Sequence, residues 1–321
     1  MSKEKILYLD TTTQEMEQVL IDSCPDEFDL VFLDPKIGKP GTFAEADYLI
    51  NSVYPIRQAE MDAAPKTKLI HRTGAGYDNV DVAYAADKGI PVCITPNCLD
   101  DSVAELAILH ILSVYRKLFI MDPTTRRGEW RKWEYKHESF EIKGKRIGVI
   151  GAGNIGRAFI RKIRGFEPEA VCYYNRRRLA PELEQELNIS YCPIDDMMSS
   201  CDIVVLFIPI NPETKNIISR ERIAMMKPNG VLINVSRGGN VDYEALTEAL
   251  KEKRILGAGL DVFPVESFDP NWELAKLDNV CITPHIGSAT VDAFRKVCRI
   301  CMENITRHAH GEEVKFVVNK K

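Results

Sequence analysis

The chain has 321 residues, 45% hydrophobic and 28% charged, an ordinary globular composition with length for two domains of about 150 residues each. A net charge of −5 and a pI near 5.8 argue against a nucleic-acid surface. No apolar run approaches the roughly 18 residues that a membrane helix needs, and the polar opening MSKEKILYLD is not that of a signal peptide. We therefore expect a cytoplasmic protein with no membrane and no nucleic-acid partner. Cys298 and Cys301 stand three apart on a helical stretch without a matching pair, and several other cysteines lie inside apolar strands. The nine cysteines thus read as reduced, structural thiols, and no metal site is expected.

In chain order, short apolar runs at 6–9, 30–33, 48–50, 68–71 and 92–94 read as strands, with helical patterns at 13–21 and 81–88 between them. Such alternation predicts a parallel α/β sheet with helices on both faces. A long helix follows over 102–121, with Val103, Leu106, Ala107, Leu109, His110 and Val114 at helical spacing and Asp100 or Asp101 as N-cap. The next segment, 122–143, is polar, holds Trp130, Trp133 and Tyr135, and reads as a loop long enough to be functional or interfacial.

At 147–156 stands IGVIGAGNIG, an apolar strand running into a glycine turn and a helix start. Gly151 makes the turn, Gly153 lets the backbone approach a pyrophosphate, and Gly156 lets helix pack on strand. Amides and the helix dipole then face the anion, with Asn154 and Ile155 beneath it. Further strands at 170–174, 203–207, 231–234, 257–260 and 280–282, with helices at 155–165 and 242–252, complete a six-stranded dinucleotide-binding unit. The last helix, 288–310, is left over and is expected to return to the first domain.

The predicted fold is therefore α/β: two doubly wound parallel-sheet domains, Rossmann-like or flavodoxin-like, with an active-site cleft between them. Residues 1–101 plus 290–321 form a discontinuous substrate-binding domain, and 102–289 the dinucleotide-binding domain.

Ligands bind at the carboxyl ends of such strands. Three polar residues follow strands there at short range: Arg237, Glu266 and His285, bracketed by Gly238-Gly239, Pro264, Pro284 and Gly287. Each alone has an unremarkable structural explanation; together beside a dinucleotide turn they form a constellation. Reducing a 2-keto acid requires a hydride, a proton and a clamp for the carboxylate. An imidazole supplies the proton and a neighbouring carboxylate orients it, while arginine is a bidentate, permanently charged donor. His285 is the expected acid/base, Glu266 its orienter, and Arg237 the substrate clamp.

These segments, with RTGAGYDNVD (72–81), GIPVCITPN and the following DDSVAELA (89–107), VLINVSRGGNVDYEAL (231–246), GAGLDVFPVE (257–266) and ITPHIGSAT (282–290), resemble the D-isomer-specific 2-hydroxyacid dehydrogenases over nearly the whole chain. The resemblance implies an NAD(P)-dependent oxidoreductase acting on a small 2-keto or 2-hydroxy acid, of the glyoxylate/hydroxypyruvate reductase or phosphoglycerate dehydrogenase-like kind without a regulatory extension. It gives Arg237, Glu266 and His285 the family's catalytic roles. It also implies that Gly74, Ala75 and Gly76 bind the substrate carboxylate through backbone amides, with Arg72 beside the substrate; consecutive amides in a glycine turn make an anion nest on physical grounds as well. By motif position, Pro209, Val235, Ser236, Asp261 and Gly287 join the cofactor contacts, Asp261 meeting the nicotinamide carboxamide. The elements at 102–143 correspond to the family's dimer interface, so a homodimer is expected.

An NAD-preferring fold places Asp or Glu at the end of the second strand. Here that strand ends in Asn175 followed by Arg176, Arg177 and Arg178, which favours NADP(H) over NAD(H); the other reading has Asn175 on the ribose of NAD and the arginines solvated. Two functions remain as alternatives: formate or phosphite oxidation on the same fold, against which Glu266 counts, and a dinucleotide-sensing, corepressor-like scaffold. A methyltransferase would leave the ordered motifs unexplained.

Overall fold

The computed structural model describes residues 3–266 and 268–320 and divides into two units, 1–99 with 289–321 and 100–288. In the first unit, β1 (Glu4–Tyr8), β2 (Phe28–Phe32), β3 (Lys39–Pro40), β4 (Tyr48–Asn51), β5 (Leu69–Arg72) and β6 (Val92–Cys93) form one parallel sheet in the order β3-β2-β1-β4-β5-β6. Alternate residues feed two cores. Ile6, Tyr8, Tyr48 and Ile50 pack with Leu20, Val297 and Cys301 of the helices Gln14–Ser23 and Val291–Ala309. Leu7, Leu49 and Ile70 pack with Met61 and Ala85 on the other face. A strand covered on both sides needs apolar residues at both parities, which is why these segments read as continuous apolar runs.

Cysteines serve this packing. Cys93, Cys98, Cys298 and Cys301 are all buried in the first core, and desolvation pushes the thiols of Cys93 and Cys298 up to about 12, so they stay protonated and unreactive.

Among its described residues the second unit holds seven strands, all parallel: β7 (Arg146–Ile150), β8 (Ala170–Tyr174), β9 (Ser190–Tyr191), β10 (Ile203–Leu206), β11 (Val231–Asn234), β12 (Gly257–Leu260) and β13 (Val280–Ile282), in the order β13-β12-β11-β10-β7-β8-β9. The seventh strand, β9, is two residues long, too short to leave a periodic signal. The winding reverses between β7 and β10, where such sheets open a crevice at the strand carboxyl ends.

Two expectations about the helices fail. The helix expected over 102–121 is two helices, Asp100–Arg116 and Leu118–Arg126, broken where Lys117 adopts a left-handed conformation (φ 52°). Tertiary structure sets that break: the Lys117 ammonium is buried and pairs with Glu138 at 3.3 Å. Asp100 and Asp101 lie inside the first turn rather than capping it, still complementing the helix dipole. Elsewhere the expected first residues are caps: Asp81 and Asp242 accept the amides of Tyr84 and Ala245 at 3.0 Å each. Among the described residues no helix is long and apolar enough to cross a membrane.

Candidate active site

The turn after β7 is fixed by the fold at two of its glycines and left open at the third. Gly151 has φ 102° and donates its amide to the Tyr174 carbonyl at 2.8 Å. A Cβ on Gly156 would stand 2.1 Å from the Gly151 carbonyl oxygen, whereas a Cβ on Gly153 would meet no protein atom within 4 Å. Helix Asn154–Ile163 starts there, with its first amides directed outward past Gly153, a cradle that fits a phosphate group. Asn175 acts on this turn, its Oδ1 accepting the Ala152 amide at 2.7 Å. The arginine run divides. Arg178 is committed to Glu184 through two bonds of 2.8 and 2.9 Å, which with Tyr173 hold that carboxyl down at about 2. Arg176 pairs at the surface with Glu213 at 3.1 Å, and Arg177 is exposed.

Arg237, Glu266 and His285 follow the adjacent strands β11, β12 and β13. Arg237 is half-buried, and its backbone is held by Asn234, which donates from Nδ2 to the Arg237 carbonyl at 3.0 Å while its Oδ1 accepts from the Ser236 amide and hydroxyl. Asn240, also fully buried, donates to the carbonyls of Pro209 and Thr214 at 3.3 and 3.1 Å, tying this loop to the end of β10. Val235 and Ser236 are buried beneath it. A Cβ on Gly238 would stand 2.0 Å from the Phe263 carbonyl carbon, so only glycine lets the Arg237 loop lie against the segment leading to Glu266.

His285 Nδ1 lies 2.8 Å from the Glu266 carboxylate. The carboxylate accepts the Nδ1 proton, which fixes the tautomer and leaves Nε2 as the working nitrogen. The His285 backbone is left-handed (φ 55°), a conformation costing about 1 kcal/mol or more for a non-glycine residue. Asp261, 1% exposed, holds it there. Its carbonyl accepts the His285 amide at 2.8 Å, and its carboxylate accepts the Thr283 hydroxyl at 2.6 Å and the amides of Ile286 and Gly287 at 2.8 and 2.9 Å. Burial raises the Asp261 carboxyl pKa, opposed by these donors. Thus the residue expected at the carboxamide first of all builds the histidine loop. Sequence reasoning passed over Asn234, Asn240 and Thr283; for Asn234 and Thr283 the available signal was a polar residue at the end of an apolar strand, whereas Asn240, in the turn 238–240, offered none.

In the first unit, Arg72 ends β5 and donates from Nε to Asn79 Oδ1 at 2.9 Å. Asn79 in turn donates to the Ser52 carbonyl at 3.0 Å. The loop after it is pinned by Thr73 donating to the Asn51 carbonyl at 2.9 Å and Thr95 donating to the Gly74 carbonyl at 3.1 Å. The amides of Gly74, Ala75 and Gly76 donate to no atom of the described residues, leaving three consecutive donors for an anion. The reversal point of this sheet, between β1 and β4, is closed to a phosphate by an internal anion: Asp10, buried, accepts the amides of Ser52, Val53 and Tyr54.

A dinucleotide turn and a carboxylate-oriented imidazole, both at strand carboxyl ends of one parallel sheet, define a nicotinamide-dependent oxidoreductase. Residues 108–287 match the family model described as "D-isomer specific 2-hydroxyacid dehydrogenase, NAD binding domain". Glyoxylate reductases are similar to the chain: that of Pyrococcus horikoshii is 37% identical, covering 96% of this chain and 95% of its own, and that of Thermococcus kodakarensis is 40% identical, covering 81% and 79%. Among solved structures, the NADPH-dependent glyoxylate/hydroxypyruvate reductase of Sinorhizobium meliloti, in complex with NADP and malonate, superposes with a TM-score of 0.82 at 28% identity, over 99% of this chain and 97% of that one. The chain belongs to the D-isomer-specific 2-hydroxyacid dehydrogenase family. It is an NAD(P)-dependent oxidoreductase acting on the CH–OH group of small hydroxy acids.

Proposed function

We propose that the protein reduces a small 2-keto acid, glyoxylate in the first instance, to the D-2-hydroxy acid with NADPH. The observation that carries this reading is the 2.8 Å contact between His285 Nδ1 and the Glu266 carboxylate, with Glu266 following β12, the strand next to β11, which presents Arg237. His285 donates the Nε2 proton to the carbonyl oxygen, Glu266 keeps the ring aimed, and Arg237 grips the carboxylate and carbonyl oxygens, drawing charge toward the oxygen that is protonated. A nicotinamide held by the glycine turn would supply the hydride. In the first unit, the amides of Gly74, Ala75 and Gly76, with Arg72, are the proposed substrate-binding groups.

Gly151, Gly153, Asn154, Ile155 and Gly156 would cradle the pyrophosphate, and Pro209, Val235, Ser236 and Gly287 would line the remaining length of the cofactor. Arg176 and Arg177 would take a 2′-phosphate; the surface pairing of Arg176 costs little to exchange, and Arg177 is exposed. A homodimer through 102–143 is supported by the exposed large apolar side chains of Leu109, Leu118, Trp130 and Trp133 in that segment.

The deciding experiment follows nicotinamide absorbance with glyoxylate, hydroxypyruvate and pyruvate, each with NADH and with NADPH. Faster oxidation of NADPH by glyoxylate is expected. No turnover with any keto acid, cofactor binding being intact, would refute the reductase reading, and faster NADH oxidation would refute the role given to Arg176 and Arg177.

A further inference from the structure

The helix Asp100–Arg116 carries a histidine on the face that packs on the second sheet: His110 is 1% exposed. Gly259 of β12 makes room for it, since a Cβ there would stand 2.6 Å from His110 Cβ. The ring Nε2 lies 2.9 Å from Thr283 Oγ1, and that hydroxyl lies 2.6 Å from Asp261 Oδ1. Proton accounting fixes the direction of this chain. The Asp261 carboxylate already receives two backbone amides and acts as an acceptor, so the single Thr283 hydroxyl proton goes to it. Thr283 then has only lone pairs to offer, and His110 must be the Nε2–H tautomer, donating to Thr283.

His110 Nδ1 has no hydrogen-bond partner among the described residues. A leucine would fill the space without that desolvation cost, so what the histidine adds is the Nε2–H bond. Burial pushes its pKa down to about 4, which keeps the ring a neutral donor across the working range.

We infer that His110 is a positioning residue for the acid–base histidine, acting through Thr283 and Asp261. The chain runs from His110 Nε2–H to Thr283, from Thr283 to the Asp261 carboxylate, and from Asp261 to the amides of Ile286 and Gly287. The Asp261 carbonyl meanwhile holds the His285 amide, and with it the left-handed backbone that aims the imidazole. Without its donor, Thr283 can rotate, the carboxylate loses its fixed orientation, and the loop carrying His285 loosens. The inference rests on the reading of His285 as the acid–base group.

The test uses His110→Leu, Thr283→Val, the double variant and His110→Gln, whose amide nitrogen reaches the place of Nε2. His110→Leu is expected to lower kcat about tenfold while KM for the keto acid and cofactor affinity stay within about twofold, because a small misplacement of a proton donor acts on the chemical step. Thr283→Val should do the same, the double variant should be no worse than the poorer single one, and His110→Gln should restore most of the loss. Nitrogen-15 spectra of the wild-type enzyme should show His110 protonated at Nε2, a readout independent of turnover. A folded His110→Leu enzyme with wild-type kcat, losses that multiply in the double variant, or an Nδ1–H tautomer would each overturn the inference. Should His110→Leu not fold, the tautomer, His110→Gln and Thr283→Val decide it. His285→Ala is the control: full turnover there removes the underlying reading, whereas loss there with none in His110→Leu removes this inference alone.

Discussion

His285 Nδ1 sits 2.8 Å from the Glu266 carboxylate while the His285 backbone is held left-handed by Asp261. Side chain and main chain of one residue are thus fixed by two different acids, and the two can be separated by mutation. His285→Ala should lower kcat by about 10²- to 10⁴-fold, the usual worth of a general acid, with cofactor affinity unchanged. Glu266→Gln should cost less, since an amide oxygen still accepts the Nδ1 proton. Steady-state rates beside a cofactor titration check this; equal losses in both variants would contradict the orienting role.

The glycine turn separates folding from binding. Gly156→Ala forces a Cβ to 2.1 Å from a backbone oxygen and should destabilise the second unit by several kcal/mol, an overpacking that backbone must absorb. Gly153→Ala meets no protein atom within 4 Å and should leave thermal stability nearly unchanged while weakening cofactor binding by tenfold or more. Calorimetric unfolding and a fluorescence titration of NADPH distinguish the two; wild-type affinity in Gly153→Ala would remove the pyrophosphate from that turn.

Stability should fall below neutral pH. His71 and His110 are buried, and desolvation depresses both to about 4, against about 6.5 in an unfolded chain. Between those values the unfolded state binds more protons than the folded one, so stability is fully present above about pH 6.5 and is lost as pH falls toward 4. The difference amounts to at most about 3 kcal/mol for each ring. Urea unfolding at pH 7 and pH 5 measures it, and His71→Asn should flatten the slope; a slope unchanged by that substitution would assign the acid sensitivity elsewhere. His71 holds Asn304 at 3.0 Å from Nε2, so the two ends of the first unit should loosen together.

Glu17 predicts a purely structural loss. It is fully buried, and its carboxylate accepts the amides of Lys36, Ile37 and Gly38 at 2.6, 2.7 and 2.9 Å. Glu17→Leu should cost about 3 kcal/mol or more, because three amides lose a charged acceptor, with kcat at low temperature unaffected. A stability within 0.5 kcal/mol of wild type would show that water replaces the carboxylate, the level expected of ordinary surface changes.

Local pattern reached the architecture because burial on both faces demands continuous apolar strands, and a dinucleotide turn demands glycines at fixed spacing. The strands 170–174, 231–234, 257–260 and 280–282 were legible to the residue, and Arg237, Glu266 and His285 stood out because a charged side chain just past an apolar strand has little structural reason to be there. Nothing in the periodicity revealed the break at Lys117, since it depends on Glu138, twenty-one positions further on. Nor did it distinguish Arg178 from Arg176, which tertiary pairing with Glu184 and with Glu213 separates. By itself the sequence determined the longer strands and most of the helices, the turn for a dinucleotide and the residue types for acid–base chemistry, all properties of neighbours along the chain. Only the tertiary structure decided that Asp261, Thr283 and His110 form one line of hydrogen bonds beneath His285, because those groups come from three separate elements and a hydrogen bond requires approach within about 3 Å, a distance that packing alone sets.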